Sequence, residues 1–245
     1  VTDTHPGKGG VAASPGGPGL ANIDGRAGNE AITASTEAAF SSTLGTDTVD
    51  GGLGTDSLTF SAAATLATTE TTNISNVEVL SLTTGSTLTV NDAFLAANPG
   101  LVIQPGAAST IKGSVAAGDS LSSSLNISAN AAGNLSLLGG TGDDTFTFFA
   151  TETLTALDSV NGGAGTDKII VDIVDATPQA GVGADTAAVL DQYITNIEEV
   201  EIRDVAVNDG GSTASTVTTA TVTINSGFTG ASLTVDASAL DAHPT

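Results

Sequence analysis

Gly162-Gly163-Ala164-Gly165-Thr166-Asp167, running on into Lys168-Ile169-Ile170-Val171, is the stretch from which the fold can be read. Two glycines, a third two places on and an aspartate at the sixth place describe a tight turn. Glycine reaches positive φ without a Cβ clash, and aspartate readily bonds to nearby backbone amides. An apolar residue at the eighth place, Ile169, then opens a strand. The same pattern stands at Gly139-Gly140-Thr141-Gly142-Asp143-Asp144 and at Gly51-Gly52-Leu53-Gly54-Thr55-Asp56. A degenerate copy is Gly25-Arg26-Ala27-Gly28-Asn29-Glu30, and the eighth residues of these three turns are Phe146, Leu58 and Ile32.

The turns come in pairs. Gly25 and Gly51 are 26 residues apart, and Gly139 and Gly162 are 23 apart. Each pair is followed by a further match, Ile74-Ser75-Asn76-Val77-Glu78 in one case and Ile194-Thr195-Asn196-Ile197-Glu198 in the other. Later, Leu88-Thr89-Val90-Asn91 resembles Val222-Thr223-Ile224-Asn225. A repeated order of this kind predicts tandem modules, 22–134 and 135–245. Residues 1–21, with Pro6, Pro15 and Pro18 among many glycines, predict a Gly/Pro-rich arm or linker.

Between the turns the hydrophobic period is two: Phe146 and Phe148 alternate with threonines, as do Val222 and Ile224, and Leu233 alternates with Thr234 before Val235. Glycine turns one coil apart, each leading into a short strand, predict an all-β fold. The expected form is a right-handed parallel β-roll or β-helix; the strands alone would also suit a sandwich. One short helix is expected around residues 186–193, where Ala187, Val189, Leu190 and Tyr193 could share a face.

Of the 245 residues, 40% are hydrophobic but only 3% aromatic, so the core must be aliphatic. There are 27 acids against 5 bases, a formal net charge of −22. That balance argues against nucleic acid, whose affinity rests on basic side chains, and against anionic membrane surfaces. No apolar run is long enough to span a bilayer, so no membrane insertion is expected. There is no cysteine, hence no disulfide and no thiolate metal site. No signal peptide is visible at Val1, and the chain reads as mature, as a fragment, or as exported by a signal elsewhere.

What the acids suit is a hard cation. Ca2+ takes six to eight oxygens in loose geometry, from carboxylates and main-chain carbonyls alike. Two glycine turns stacked in successive coils could supply both. Gly45-Thr46-Asp47 lies nine residues before Gly54-Thr55-Asp56, which adds Asp47 and Asp50 as candidates. Asp158 and Asn161 hold the corresponding places in the second module. The expected calcium ligands are therefore Asp47, Asp50, Gly52, Gly54 and Asp56 in one group. Asp143, Asp144, Asp158, Asn161 and Asp167 belong to the other, with Gly140, Gly142, Gly163 and Gly165. Glu78, Glu198 and Glu199 are expected on solvated strand faces or capping a coil, and Asp92, Asp175 and Asp185 in loops.

These turns resemble the nonapeptide repeats of repeats-in-toxin proteins. Together with the I-x-N-(V/I)-E segments, the chain is similar to bacterial surface-layer proteins of the calcium-dependent β-roll kind. The resemblance implies calcium-driven folding, a location outside the cell or on the bacterial cell surface, and homo-oligomeric assembly into a lattice or filament. Arg26 and Glu30 depart from the repeat, which weakens the first turn. Cell-surface polysaccharide is a further expected partner. The rival readings are an adhesin stalk, a carbohydrate-binding repeat, or part of a secreted protease or lipase. The chain holds no G-x-S-x-G elbow or H-E-x-x-H helix, no Trp and one Tyr, so it is not expected to be an enzyme. His5 and His243 are too few for a zinc site. The N-x-S/T patterns at Asn73, Asn126 and Asn134 are read as chance.

Overall fold

Three-residue units of the form polar–apolar–polar recur along the chain, each one strand long, with a turn or corner after it. Each can bury only one side chain against its own coil, so stability requires stacking coil on coil. A computed structural model describes residues 2–3, 22–34, 47–116, 119–129, 133–149, 154, 157–173, 187–190, 192–204, 221–224 and 234–236. In it the strands of successive coils pair in parallel, and the protein is a parallel β-helix with little helical structure.

The main sheet holds ten strands. In spatial order they are β1 (Thr2–Asp3), β3 (Ala31–Ala34), β5 (Ser57–Phe60), β8 (Val79–Ser81), β10 (Val102–Gln104), β14 (Asn126–Ala129), β16 (Thr145–Phe148), β18 (Lys168–Ile173), β21 (Glu199–Asp204) and β23 (Thr234–Asp236). All pairings but the first are parallel; β1 runs antiparallel along β3, Thr2 opposite Thr33. The segment expected to be an arm thus contributes a strand to the edge of the sheet.

A second sheet of six is ordered β20 (Ile194–Thr195), β17 (Ser159–Asn161), β15 (Ser136–Leu138), β11 (Thr110–Gly113), β9 (Thr87–Val90), β6 (Thr65–Leu66). A third, of β2 (Asn22–Asp24), β4 (Thr48–Asp50) and β7 (Ile74–Ser75), closes the first coils on another side. Two small pairs complete the set, β12 (Val115–Ala116) with β13 (Asp119–Ser120), and β19 (Ala187–Leu190) with β22 (Thr221–Ile224). The two large sheets run without a break across residues 134 and 135, so the two repeats lie in one continuous stack.

Register is strict. Ile32, Leu58, Leu80, Ile103, Ile127, Phe146, Ile169 and Val200 are successive partners in the main sheet, and each is at most 1% exposed. The expected eighth residues of all four turns stand in this column. Leu66, Leu88, Ile111, Leu137, Val160 and Ile194 form the matching column of the second sheet. Truncating one such residue to Ala removes packing from coils on both sides, and costs about 2–5 kcal/mol. On the opposite face of that sheet, Thr65, Thr87, Thr110, Ser136 and Ser159 are also successive partners. They place five hydroxyl residues in a line at the inter-strand spacing of about 4.8 Å.

Two helices are present among the described residues, α1 (Thr68–Thr71) and α2 (Asp92–Ala97). Asn91 caps α2, its side chain accepting from the Phe94 amide at 2.8 Å. Phe94 anchors the helix in the core. Neither helix is long or apolar enough to cross a membrane. The helix expected around 186–193 is instead the strand β19, in register with β22 from Ala187 opposite Thr221 to Leu190 opposite Ile224. A lone eight-residue helix is marginal, whereas a ready parallel partner satisfies every amide along one edge.

Candidate functional site

The glycine turns form two columns, each built by the strand that leads into it. In the first, β2 and β4 bring turn 25–30 under turn 51–56, and β7 lays residues 76–78 on top. In the second, β15 and β17 bring 139–144 under 162–167, and β20 adds 196–198. Both pairings expected from spacing are therefore found, and the I-x-N-(V/I)-E segments are the third floor of each column.

The first glycine of each turn is explained by this stacking. A Cβ on Gly51 would overlap the Asn76 carbonyl and come within 2.9 Å of Asp56 Oδ2. One on Gly162 would strike the Asn196 carbonyl and Asp167 Oδ2 in the same way. Glycine is needed because the carbonyl of the next coil and the carboxylate of its own turn occupy the side-chain space, a close approach that Cα–H···O contact permits. Gly52 and Gly163 add a positive φ of 93° and 103°. Arg26, in the corresponding place, takes φ 66° despite its side chain.

The sixth-position acids form a ladder from coil to coil. Asp56 Oδ1 accepts the Glu30 amide at 2.6 Å, and Glu78 Oε2 accepts the Asp56 amide at 2.7 Å. Above them Asn98 Oδ1 accepts the Val77 amide at 3.0 Å. In the second column Asp144 Oδ1 accepts from Leu125, Asp167 Oδ1 from Asp144, and Glu198 Oε2 from Asp167, at 2.7, 2.8 and 2.8 Å. The other turn residues pair just as regularly. Asp50 Oδ1 receives the Gly52 amide and the Asn76 side chain; Asn161 Oδ1 receives the Gly163 amide and the Asn196 side chain. Asp143 Oδ1 takes the Thr166 amide, as Asn29 takes that of Thr55.

The sequence-derived residues thus divide. Asp50, Asp56, Asp143, Asp144, Asn161 and Asp167 are brought to the turns, with Gly52, Gly54, Gly140, Gly142, Gly163 and Gly165. Asp47 and Asp158 are not: they lie at the far ends of β4 and β17, about 10 Å of strand away. Asp158 is buried and accepts the Leu135 amide at 2.9 Å. Of the two places expected for Glu78 and Glu198, a solvated strand face or the cap of a coil, the structure has the second: each crowns its column, its place set by an amide in the coil below. Glu199 does lie on the strand face, bonded with Glu201 to Lys168. Asp92 is the first residue of α2 rather than a loop residue. It accepts the amides of Ser122 and Ser123 at 2.8 and 2.7 Å and the Ser122 hydroxyl, tying α2 to the floor beneath Gly140 and Gly142. Asp175, Asp185, His5 and His243 lie outside the described residues.

Electrostatically the columns are strained. Asp56 and Asp167 are fully buried, and Oδ2 of each has no hydrogen-bond partner. Burial, together with Asp144 and Glu198 nearby, pushes the Asp167 carboxyl up to about 6. Burial also raises Asp144, against the amides of Leu125 and Gly140. Asp92 is the reverse: the Ser122 hydroxyl and amide hold it down to about 2. Among the described residues no three His, Asp or Glu side chains converge on one point. A cation at a turn would have one or two carboxylates and otherwise carbonyl or water oxygens, a donor set that suits Ca2+ and not a soft metal. The orphaned Oδ2 atoms fit such an ion.

Comparison with known protein families, with curated proteins and with solved structures found no match.

Proposed function

We propose that this chain is a calcium-binding structural protein of the bacterial cell surface or extracellular space, assembling with copies of itself into a layer or filament. The observation that carries the calcium reading is the pair of buried, unpartnered oxygens, Asp56 Oδ2 and Asp167 Oδ2, inside stacked glycine turns. An unpaired carboxylate oxygen is costly to bury, and a cation offsets that cost. Bound calcium would neutralise like charges on successive floors. The chain's own residues do the rest: glycines let the floors approach, and the acids hold one coil's amides to the next. Because the unfolded chain has no stacked floors, binding would stabilise the folded state by mass action.

Assembly is supported by the architecture. Among the described residues β23, β20 and β6 each have a neighbour on one side only, and such edges accept a further strand. Five bases and a single Tyr favour a structural role over an enzymatic one. The line of hydroxyls from Thr65 to Ser159 favours a second reading, a surface-binding module that lays this sheet against polysaccharide. Circular dichroism and thermal melting with calcium or chelator test the first claim; identical melts would refute it. Light scattering on calcium addition tests assembly. A holo-protein that stays monomeric yet is retained on immobilised polysaccharide would favour the second reading.

A further inference from the structure

The third floors contain no glycine pair, and nothing in the repeat pattern assigns them a ligand. Their geometry is nevertheless the same in both columns. Asn76 and Asn196 take left-handed backbone conformations, φ 51° and 52°, and turn their carbonyls onto Gly51 and Gly162. Against those same glycines lie Asp56 Oδ2 and Asp167 Oδ2, buried and without a hydrogen-bond partner. Two residues further on, Glu78 and Glu198 fold down so that one oxygen of each takes the Asp56 or Asp167 amide. Each third floor therefore gathers a bare buried carboxylate oxygen, a main-chain carbonyl and a second carboxylate. The neighbouring cations are engaged elsewhere: Lys168 bonds Glu199 and Glu201, and Arg26 lies near Asp24 in the bottom turn.

We propose that each third floor is a divalent-cation site, formed by Asp56, the Asn76 carbonyl and Glu78 in one column and by Asp167, the Asn196 carbonyl and Glu198 in the other. All donors are oxygens, so the ion is hard. Glu78 and Glu198 are part-exposed, so water can complete the shell, as calcium tolerates and a closed cage would not. This extends the calcium reading of the glycine turns and makes the I-x-N-(V/I)-E segment a ligand-bearing element.

The test is the number of calcium ions bound by the demetallated full chain, from equilibrium dialysis, for wild type and for Glu78→Gln, Glu198→Gln and the double variant. Glutamine still accepts the amide below, so the fold is kept while the charge is removed. Each single variant is expected to bind about one calcium fewer, and the double about two fewer, with Glu70→Gln unchanged. Wild-type stoichiometry and affinity in all the glutamine variants would overturn the proposal and leave calcium at the glycine turns intact. Absence of calcium binding by the wild type would overturn both. Should a glutamine variant lose its far-ultraviolet spectrum, Glu78→Asp and Glu198→Asp replace it. They keep the charge but withdraw the ligand, and are expected to weaken calcium binding roughly tenfold or more; unchanged affinity would count against the site.

Discussion

The two columns are built alike but carry their charge differently. In the first, the residue that enters the turn is Asp50 and the outer acceptor is Asn29; in the second, these are Asn161 and Asp143. The hydrogen bonds are the same in both cases. Glu30 stands where the second column has Asp144, and Arg26 where it has Gly140. The position asks for an oxygen acceptor at a fixed place; which oxygens are charged is free to vary. Among the described residues the bottoms differ as well. Turn 139–144 rests on residues 121–125, which Asp92 fastens to α2, while turn 25–30 has no comparable support among the described residues. The second column is thus braced from both sides.

The comparison can be broken most severely at the first glycines. Gly51→Ala and Gly162→Ala force a methyl into a main-chain carbonyl, and each is expected to cost about 3 kcal/mol or more. Urea unfolding would read this; a loss in only one column would mean that the floors are not equivalent. Next come Asp56→Ala and Asp167→Ala in chelator. They leave the buried amides of Glu30 and Asp144 without acceptors, a loss of about 1–3 kcal/mol each. Asn at either place should lose less, because it still accepts.

Acidity should separate the braced column from its brace. With chelator present, the folded Asp167 carboxyl titrates near 6 and the unfolded one near the ordinary aspartate value of 3.8. The folded state therefore binds that proton more tightly, and stability rises as pH falls from above 6 toward 4. Asp92 acts with the opposite sign: its folded value is about 2, so its contribution is full above 3.8 and is lost as pH falls toward 2. Melting curves from pH 7 to pH 2 should show a rise and then a fall. Asp167→Asn should flatten the rise and Asp92→Asn the fall. The smallest expected effect is at Arg26→Gly, which relieves a left-handed residue and repairs the degenerate turn. Its gain is at most about 1 kcal/mol, because glycine also loosens the unfolded chain. The exposed Arg26–Asp24 pair, at 3.9 Å, adds little against this.

What could be read from the chain was whatever repeats within one coil. Gly51, Gly162, Asp56 and Asp167, with Ile32, Leu58, Phe146 and Ile169 behind them, are tied to their own turns, so spacing reveals them. Leu80, Ile103 and Ile127 hold the same column without a glycine motif, because their place is set by partners above and below. For Glu78 and Glu198 the spacing leaves a strand face and a coil cap equally open for that reason: the amides they accept lie 22 and 31 residues earlier. Asp158 aligns with Asp47 in the sequence, but the amide it accepts is that of Leu135, at the start of the neighbouring strand rather than in a turn. At residues 187–190 the local pattern favoured a helix, and a distant strand decided otherwise. Helix α2 interrupts the repeat, and its Asn91 cap could have been recognised from Asn91-Asp92-Ala93-Phe94-Leu95.

The unequal coils have a consequence for how the molecule comes together. Successive members of the main column are separated by as few as 19 residues, from Ile127 to Phe146, and as many as 35, from Val200 to Val235. Their register does not change with that length. Folding can therefore nucleate at the shortest loop closures and propagate outward in both directions, one coil at a time. An insertion at a corner would slow a single step of that growth and leave every other step as it was.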